Sequence, residues 1–387
     1  MILFSIIITV FYLALIGCFV FGFDKVEHFK LTNLSAKTKF SILIPFRNEA
    51  EHLPDLLKSI EALNYPKHLF EIIFIDDDSE DDSVSIIEKV IDKRGFEGVY
   101  TERRRSTQPD ITVINNERKT NSPKKDAITT AIDKAKYDWI ITTDADCVLP
   151  KFWLDSFDEF IQKTDTKCIV APVTYHINDN FLNRFQLLDI LSLQGVTIGG
   201  FGIKKPLLCN GANFGYQKEL FKALHGFEGN TNIASGDDIF LLEKVAKKHP
   251  KELHYLKCEH TIVETKSQPT WDSLISQRLR WTSKTSAYNH WFGKLTGLIV
   301  LLMNALLIAL ALLITIGVFK VKTLLYILVI KFNIDFYLIY KSATFFNQKE
   351  VLLSYIFGFI LYPFFSVYIA ILSVFKTYKW KGRRFKK

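Results

Sequence analysis

At 387 residues the chain has room for one large domain or two small ones, and 48% of its side chains are hydrophobic. Long uncharged stretches at both ends exclude a wholly water-soluble protein, and five scattered cysteines (Cys18, Cys147, Cys168, Cys209, Cys258) with no C-x-x-C pair argue against a disulfide framework or a zinc site and fit a reducing compartment. The formal charge of +8 gathers in a C-terminal tail beside an apolar stretch, so the lipid bilayer is an expected partner and nucleic acid is not.

Residues 1–23 carry no charged side chain. At about 1.5 Å per residue such a segment spans a hydrocarbon core of roughly 30 Å. Phe19, Phe21 and Phe23 stand where a cleavage site needs small residues, so the segment reads as a retained anchor rather than a signal peptide. A polar linker follows over 24–38, and residues 39–292 read as a soluble α/β domain. Short apolar, β-branched runs at 40–44, 71–75, 111–114 and 139–142 predict strands, and the stretches 49–63, 82–92 and 126–135 between them predict helices. Pro54 is tolerable only in the first turns of its helix. Such alternation predicts a mostly parallel sheet covered by helices on both faces, with ligands bound beyond the carboxyl ends of the strands. The three arginines Arg103, Arg104 and Arg105 read as a solvated loop.

The residues that follow the strands are acidic. Asp76, Asp77 and Asp78 come after the second, and Asp144 and Asp146 after the fourth. Helix capping explains part of the first group, because Ser79 to Asp81 precede a helix. It explains Asp144-Ala145-Asp146 poorly, since two carboxylates at i, i+2 repel unless a cation is present. Oxygen ligands of this kind suit Mg²⁺ or Mn²⁺, which would clamp a diphosphate. The second half is less regular, with a strand at 168–172 and a helix at 185–194. The segment 209–216 is a small-residue strand or loop carrying Asn210 and Asn213, where a bulge and a close approach to a ligand are both open readings. Ser235-Gly236-Asp237-Asp238 precedes a helix over 239–247; one Asp serves as an N-cap, and two exceed that need. Gln277, Arg280 and Trp281 share a helix face, and an Arg beside a Trp is also consistent with simple cation–π packing.

The C-terminal membrane region, 293–375, contains uncharged spans at about 295–319 and 351–375. Between them 323–340 is interrupted by Lys331 and Asp335, whose i, i+4 spacing lets them pair, so it is a third span or an interfacial helix. The basic tail, 376–387, holds Lys376, Lys379, Lys381, Arg383, Arg384, Lys386 and Lys387. Clustered cations beside a span stay cytoplasmic. If the soluble domain is cytoplasmic too, an even number of crossings separates the two, which two spans plus an interfacial stretch satisfy and three spans do not.

Taken in order, these motifs resemble the family-two inverting glycosyltransferases of GT-A fold with membrane spans, a group that includes ceramide-glucosyltransferase-like enzymes and processive chitin, hyaluronan, cellulose and poly-N-acetylglucosamine synthases. The resemblance covers about 41–281 and implies a mixed, mostly parallel Rossmann-like sheet. It implies that Pro45, Arg47 and Glu49, in Ile44-Pro45-Phe46-Arg47-Asn48-Glu49, form the first strand and donor-binding turn, and that Asp76 or Asp77 contacts the nucleoside. Asp78 stands where the family usually has Gly. Pro123-Lys124-Lys125-Asp126 is similar to the family's lysine segment, implying a phosphate-side role for Lys124 or Lys125. Asp144 and Asp146 match the metal motif, with Asp146 the direct ligand of Mg²⁺ or Mn²⁺; Asn210 and Asn213 match the acceptor segment; Asp237 and Asp238 match the base motif, with Asp238 the base. Gln277-Arg278-Leu279-Arg280-Trp281 fits Q-x-x-R-W, implying that Arg280 grips the diphosphate and that Gln277 and Trp281 face the acceptor.

The expected activity is therefore metal-dependent sugar transfer from a nucleotide-sugar donor, a UDP-sugar first of all, to a membrane lipid or lipid-linked acceptor by a multi-pass cell-membrane enzyme with a cytoplasmic catalytic domain. A processive polysaccharide synthase is the alternative within the class. A glycoside hydrolase also uses paired carboxylates but needs no D-x-D motif or diphosphate-gripping Arg. A catalytically dead nucleotide-sugar sensor would not need the full set of carboxylates, and a transporter would not place its acidic motifs outside the spans.

Overall fold

The strands form where the sequence is apolar on both sides of the pleat, as a buried parallel sheet requires. A computed structural model describes residues 2–97, 109–177, 179–284, 287, 290–380 and 383–385. Arg103, Arg104 and Arg105, together with Lys381, Lys386 and Lys387 of the tail, lie outside the described residues.

In chain order the first half contains α1 (Ile2–Lys25), β1 (Phe40–Phe46), α2 (Leu53–Glu61), β2 (Phe70–Asp76), α3 (Ser83–Glu97), β3 (Asp110–Asn115), α4 (Pro123–Lys134) and β4 (Trp139–Thr142). Next come β5 (Cys147–Val148), α5 (Trp153–Lys163), β6 (Cys168–Val170), β7 (Val173–Tyr175), α6 (Phe181–Gly202), β8 (Phe214–Gln217), α7 (Lys218–Ala223) and α8 (Asp237–Lys248). The remainder is β9 (Leu253–Tyr255), β10 (Val263–Thr265), α9 (Trp271–Ser283), α10 (Trp291–Thr315), α11 (Val321–Phe345), α12 (Tyr355–Phe375) and the hairpin β11–β12 (Tyr378–Trp380, Arg383–Phe385). These elements group into two units, one of His28–Thr174 and Cys209–Lys266, the other of Met1–Glu27, Tyr175–Leu208 and Ser267–Lys387. The grouping divides the 39–292 stretch, because α6 and α9 belong with the apolar helices.

The sheet unit is built on β1, which pairs in parallel with β2 on one side and β4 on the other, while β3 extends the sheet beyond β2. The strand order is β3-β2-β1-β4-β8-β6-β9, with β8 antiparallel to both its neighbours, so the sheet is mixed and mostly parallel. Ile42 and Ile44 of β1 are fully buried in one core with Leu53, Leu56 and Ile60 of α2 and Trp153, Leu154 and Phe157 of α5, and Leu43, on the alternate face of the strand, is fully buried too. Helix α2 starts later than the 49–63 periodicity predicts. Asn48 turns the chain in the left-handed region (φ 52°), the Glu49 carbonyl accepts from His52 and Leu53, and Pro54 then takes its place in the first turn. The linker is fastened rather than free from Thr32 onward. Two buried carboxylates of α5 hold it: Glu159 accepts from the Thr32 amide at 2.8 Å and the Leu34 amide at 2.9 Å, and Asp158 from the Thr38 amide at 2.9 Å.

Among the described residues of the other unit four helices are long and apolar enough to cross a membrane: Ile2–Lys25, Trp291–Thr315, Val321–Phe345 and Lys349–Phe375. The 323–340 stretch is thus the middle of a 25-residue helix. Its polar pair is satisfied as the spacing suggested: the Lys331 ammonium lies 2.5 Å from Asp335, whose other oxygen accepts from the Tyr12 hydroxyl of α1 at 2.6 Å. Helix α6 is twice the length of the 185–194 reading, at 22 residues, and its glycines explain why it packs so closely on α1. A Cβ added at Gly199 or Gly202 would lie 2.3 Å from the Phe19 carbonyl oxygen or 1.8 Å from that of Gly22. Bare backbones touch there, as small residues permit between apolar helices.

Gly202→Ala is expected to cost about 1–3 kcal/mol by overpacking, against an intrinsic helix preference for Ala of about 1 kcal/mol. Gly17→Ala, with nothing within 4 Å of its added Cβ, should leave stability unchanged or slightly raised. Thermal unfolding of the detergent-purified variants distinguishes the two, and equal melting temperatures would refute the close contact.

Candidate active site

Because β1, β2, β3 and β4 run parallel and side by side, their carboxyl ends share one edge, and the residues that follow them are brought together there. Two clusters of charge occupy it.

The first cluster surrounds Asp77. Its Oδ1 accepts from Arg118 Nε at 2.6 Å and Asn116 Nδ2 at 2.7 Å, and its backbone carbonyl accepts from Arg118 Nη2 and Arg47 Nη1, each at 2.8 Å. Arg47 also reaches the Asp78 carbonyl and Glu80. Burial works against the Arg118 charge, but its hydrogen bond to Asp77 and the Asp77 charge outweigh it and raise the pKa. The Arg47 hydrogen bond and the Arg118 charge hold the exposed Asp78 carboxyl below the usual aspartate range. Asp78 adopts φ 69°, the conformation a glycine provides freely and an aspartate tolerates. Asp76 plays a different part: its Oδ1 accepts from the Ser79 amide at 3.0 Å, closing an Asx-type turn. Pro45 lies within β1 opposite Ile75, and the Glu49 amide donates to Ser83 Oγ at 2.8 Å in the turn after it. Asn116 and Arg118 are absent from the sequence-based site, although they follow β3 and the rule of looking past each strand end would have found them.

The second cluster joins β4 to α8. The Lys124 ammonium lies 2.6 Å from Asp144 Oδ1 and 3.4 Å from Asp237 Oδ2. Burial disfavours its charge, but Asp144 and then Asp237 outweigh that and hold its pKa above the ordinary lysine range. Asp238 Oδ1 accepts from the Ile239 amide at 2.7 Å and its Oδ2 from the Gly211 amide at 3.2 Å. The N-cap of α8 is Gly236 at φ 90°, so neither aspartate caps the helix by the expected route. Both sit in its first turn, where the helix dipole favours negative charge. Gly211 makes the close approach possible, since a Cβ there would lie 2.9 Å from Asp237 Oδ2. Asp146 is half-buried in the turn between β4 and β5, with Oδ1 3.7 Å from Cys147 Sγ. Asp144 and Asp146 fit a hard divalent cation in chemistry but not in number. Among the described residues no group of three or more His, Cys, Asp and Glu could hold a metal by itself, so further oxygens would have to come from a diphosphate and water.

Two sequence-based assignments change. Lys125 is 1% exposed and donates to the carbonyls of Asn230 at 2.7 Å and Ile233 at 3.0 Å, over the Phe240 ring; it braces a loop and has no part in the cluster that Lys124 joins. Asn213 is fully buried. It accepts from Trp153 Nε1 at 2.9 Å and donates to the carbonyls of Pro172 and Thr261, so it scaffolds the site instead of facing an acceptor. Asn210 caps the short turn after it, accepting from the Ala212 amide at 3.0 Å.

Gln277, Arg280 and Trp281 belong to the other unit, on α9. Gln277 and Trp281 meet there around Arg278, which the sequence reading did not assign to the site. Arg278 Nη1 donates to Gln277 Oε1 at 2.6 Å and its guanidinium lies 4.1 Å from the Trp281 ring centre. Arg280 is half-buried, and its carbonyl accepts from Ser283.

Asn213→Ala strands the Trp153 indole N–H and is expected to lower unfolding free energy by about 1–3 kcal/mol. In thermal unfolding the variant should melt earlier, while the acceptor KM of the remaining folded protein is unchanged. A raised acceptor KM without loss of stability would return Asn213 to the acceptor site.

With this geometry in view, the comparisons with known proteins are specific. A model of glycosyl transferase family 2 matches residues 41–224, and one of glycosyl transferase family group 2 matches residues 139–373. The chain is 36% identical over 111 residues to an undecaprenyl-phosphate 4-deoxy-4-formamido-L-arabinose transferase of Pseudomonas savastanoi pv. phaseolicola, covering 28% of each chain. It is 24% identical over 192 residues to a poly-beta-1,6-N-acetyl-D-glucosamine synthase of Staphylococcus aureus, covering 47% of this chain and 41% of that one. It therefore spans less than half the length of these curated relatives. A mannosyltransferase from Pyrobaculum calidifontis, solved in complex with GDP-Man and Mn²⁺, has the same fold, with a TM-score of 0.53 at 13% identity over 96% of this chain and 98% of that one. With its GT-A sheet and a matching model over more than half its length, the chain belongs to glycosyl transferase family group 2.

Proposed function

We propose that this glycosyltransferase moves a sugar, with inversion, from a nucleoside-diphosphate sugar (a UDP-sugar first of all) to a lipid or lipid-linked acceptor at the membrane surface. The observation that carries this reading is the meeting of Lys124, Asp144, Asp237, Asp238 and Gly211 past the end of β4. A diphosphate needs positive charge beside its bridging and leaving oxygens, and Lys124 is a cation already placed among carboxylates. Asp144 and Asp146 are the residues that would hold Mg²⁺ or Mn²⁺, which supplies Lewis-acid stabilisation of the departing nucleoside diphosphate. Asp77, steadied by Asn116 and Arg118, is the nucleoside-side carboxylate, with Arg47, Pro45 and Glu49 shaping the adjoining turn. The hydrogen bonds from Gly211 and Ile239 fix the orientation of the Asp238 carboxylate, which suits a base that takes the acceptor's hydroxyl proton. Asp237 holds Lys124, Arg280 adds a bidentate grip on phosphate, and Gln277, Trp281 and Asn210 serve the acceptor. The kinship with an undecaprenyl-phosphate sugar transferase supports a lipid phosphate acceptor. The kinship with a poly-N-acetylglucosamine synthase keeps a polymer product in view.

We further propose that α1, α10 and α11 cross the membrane and α12 lies along its surface. Asp24 and Lys341 pair at 2.7 Å, so the carboxyl ends of α1 and α11 share one face. From there α12 stays against α6, with Leu188 beside Gly358 and Phe185 beside Phe365, and then against α9, with Leu279 and Ile369 in one apolar cluster. Two crossings, α10 and α11, then separate α9 from the basic tail, which keeps the tail and the catalytic domain cytoplasmic. A C-terminal alkaline phosphatase fusion should be inactive and a fluorescent protein fusion bright; an active phosphatase would mean that α12 also crosses.

Two variants test the chemistry, with UDP-N-acetylglucosamine and GDP-mannose as donors and undecaprenyl phosphate as acceptor. Asp238→Asn should lose turnover by about 10²-fold or more while nucleotide affinity stays within a few-fold. Asp146→Ala should weaken nucleotide binding only when Mn²⁺ or Mg²⁺ is present. Normal turnover in the first variant removes the base assignment, and metal-independent loss in the second removes the metal site. Product length on a gel separates single addition from polymerisation.

A further inference from the structure

Arg278 is the x after the glutamine in Q-x-x-R-W, a position with no role in the reading above, yet it is the most constrained side chain of α9. Its side chain is 8% exposed and that of its partner, Asp189 of α6, is 6% exposed. Nε donates to Asp189 Oδ2 at 2.9 Å, and Nη2 lies 2.7 Å from the same oxygen. The rest of the guanidinium serves the motif: Nη1 donates to Gln277 Oε1, and the flat face covers the Trp281 ring at 4.1 Å. A guanidinium has no acceptor, so the oxygen of the Gln277 amide must face it and the amide N–H groups must face away. One buried cation therefore decides which way a glutamine presents its donors and fixes one face of a tryptophan ring.

We infer that the Asp189–Arg278 pair positions the acceptor-engaging groups of the transferase, presetting the Gln277 amide as a hydrogen-bond donor and the Trp281 ring as a platform. The inference rests on the acceptor-side reading of Gln277 and Trp281. It makes α6 part of the acceptor machinery, although no residue of α6 has been assigned to chemistry. It also gives a reason for the fork of an arginine at this position, because a lysine cannot bond Asp189 and Gln277 and stack on Trp281 together.

The test uses full-length protein in detergent with UDP-N-acetylglucosamine and undecaprenyl phosphate. Transfer is measured alongside UDP release without acceptor and the thermal shift given by UDP with Mn²⁺. Asp189→Asn and Arg278→Lys should each raise the KM for undecaprenyl phosphate by about tenfold or more, with the KM for the sugar nucleotide and the acceptor-free UDP release within about twofold. Asp189→Asn leaves a buried charge short of its partner and Arg278→Lys gives up part of the fork's bonding, so a stability loss alone would explain reduced activity. The double variant Asp189→Leu/Arg278→Met removes both charges and should regain thermal stability. The inference requires that it keep the raised acceptor KM. Recovery of the acceptor KM together with stability would show the pair to be merely structural and overturn the proposal. Gln277→Ala separates the underlying reading: it should raise the same KM. If it leaves that KM unchanged, Gln277 does not face the acceptor and both readings fall, whereas a raised KM in Gln277→Ala beside a normal one in the double variant sinks the positioning role alone.

Discussion

The ammonium of Lys124, set between Asp144 and Asp237, is the interaction on which the arrangement of the site depends. It ties the turn after β4 to the first turn of α8, two segments far apart in sequence, and offsets part of the repulsion among their carboxylates. Gly211 allows the contact by having no side chain where Asp237 comes close, and its backbone amide donates to Asp238. The parallel register of β1 to β4 then places this cluster on the same sheet edge as Asp77 and its cations. Such an edge sets negative and positive charge side by side, as the proposed binding of a divalent cation and a diphosphate requires.

The first half of the sheet unit was legible because its signals are local. Apolar β-branched runs gave β1 to β4 to within two residues at each end, and the acidic residues after them lie where an open α/β sheet puts its ligands. Adjacent residues were harder. Lys124 and Lys125 look alike in sequence, but on α4 they point in directions about 100° apart. One reaches Asp144 and the other is buried against carbonyls near Asn230. The same limit applies to Asn213: nothing in the segment 209–216 announces that Trp153 and two carbonyls consume its amide. Asn116 and Arg118 went unnoticed because attention fell on carboxylates rather than on what neutralises them.

The apolar unit shows a different limit. Lys331 and Asp335 made 323–340 ambiguous by composition, and only the pairing with Tyr12, across more than three hundred residues of chain, shows how α11 carries them in an apolar setting. Helix α6 is legible only over 185–194 because Gly195, Gly199, Gly200 and Gly202 break its hydrophobic pattern beyond that stretch, as Asp189 does within it. Each interruption has a cause in packing: Gly199 and Gly202 admit the backbone of α1, and Asp189 meets Arg278. Residues that spoil a pattern are here the ones that join helices to one another.

The most direct test of the account is a structure of the protein with UDP and Mn²⁺, with the metal located by anomalous scattering. The account predicts a manganese peak against Asp146, the diphosphate beside Lys124 and the uracil ring at Asp77. A manganese peak remote from Asp144 and Asp146, or a nucleotide bound anywhere other than the carboxyl ends of β1 to β4, would contradict it.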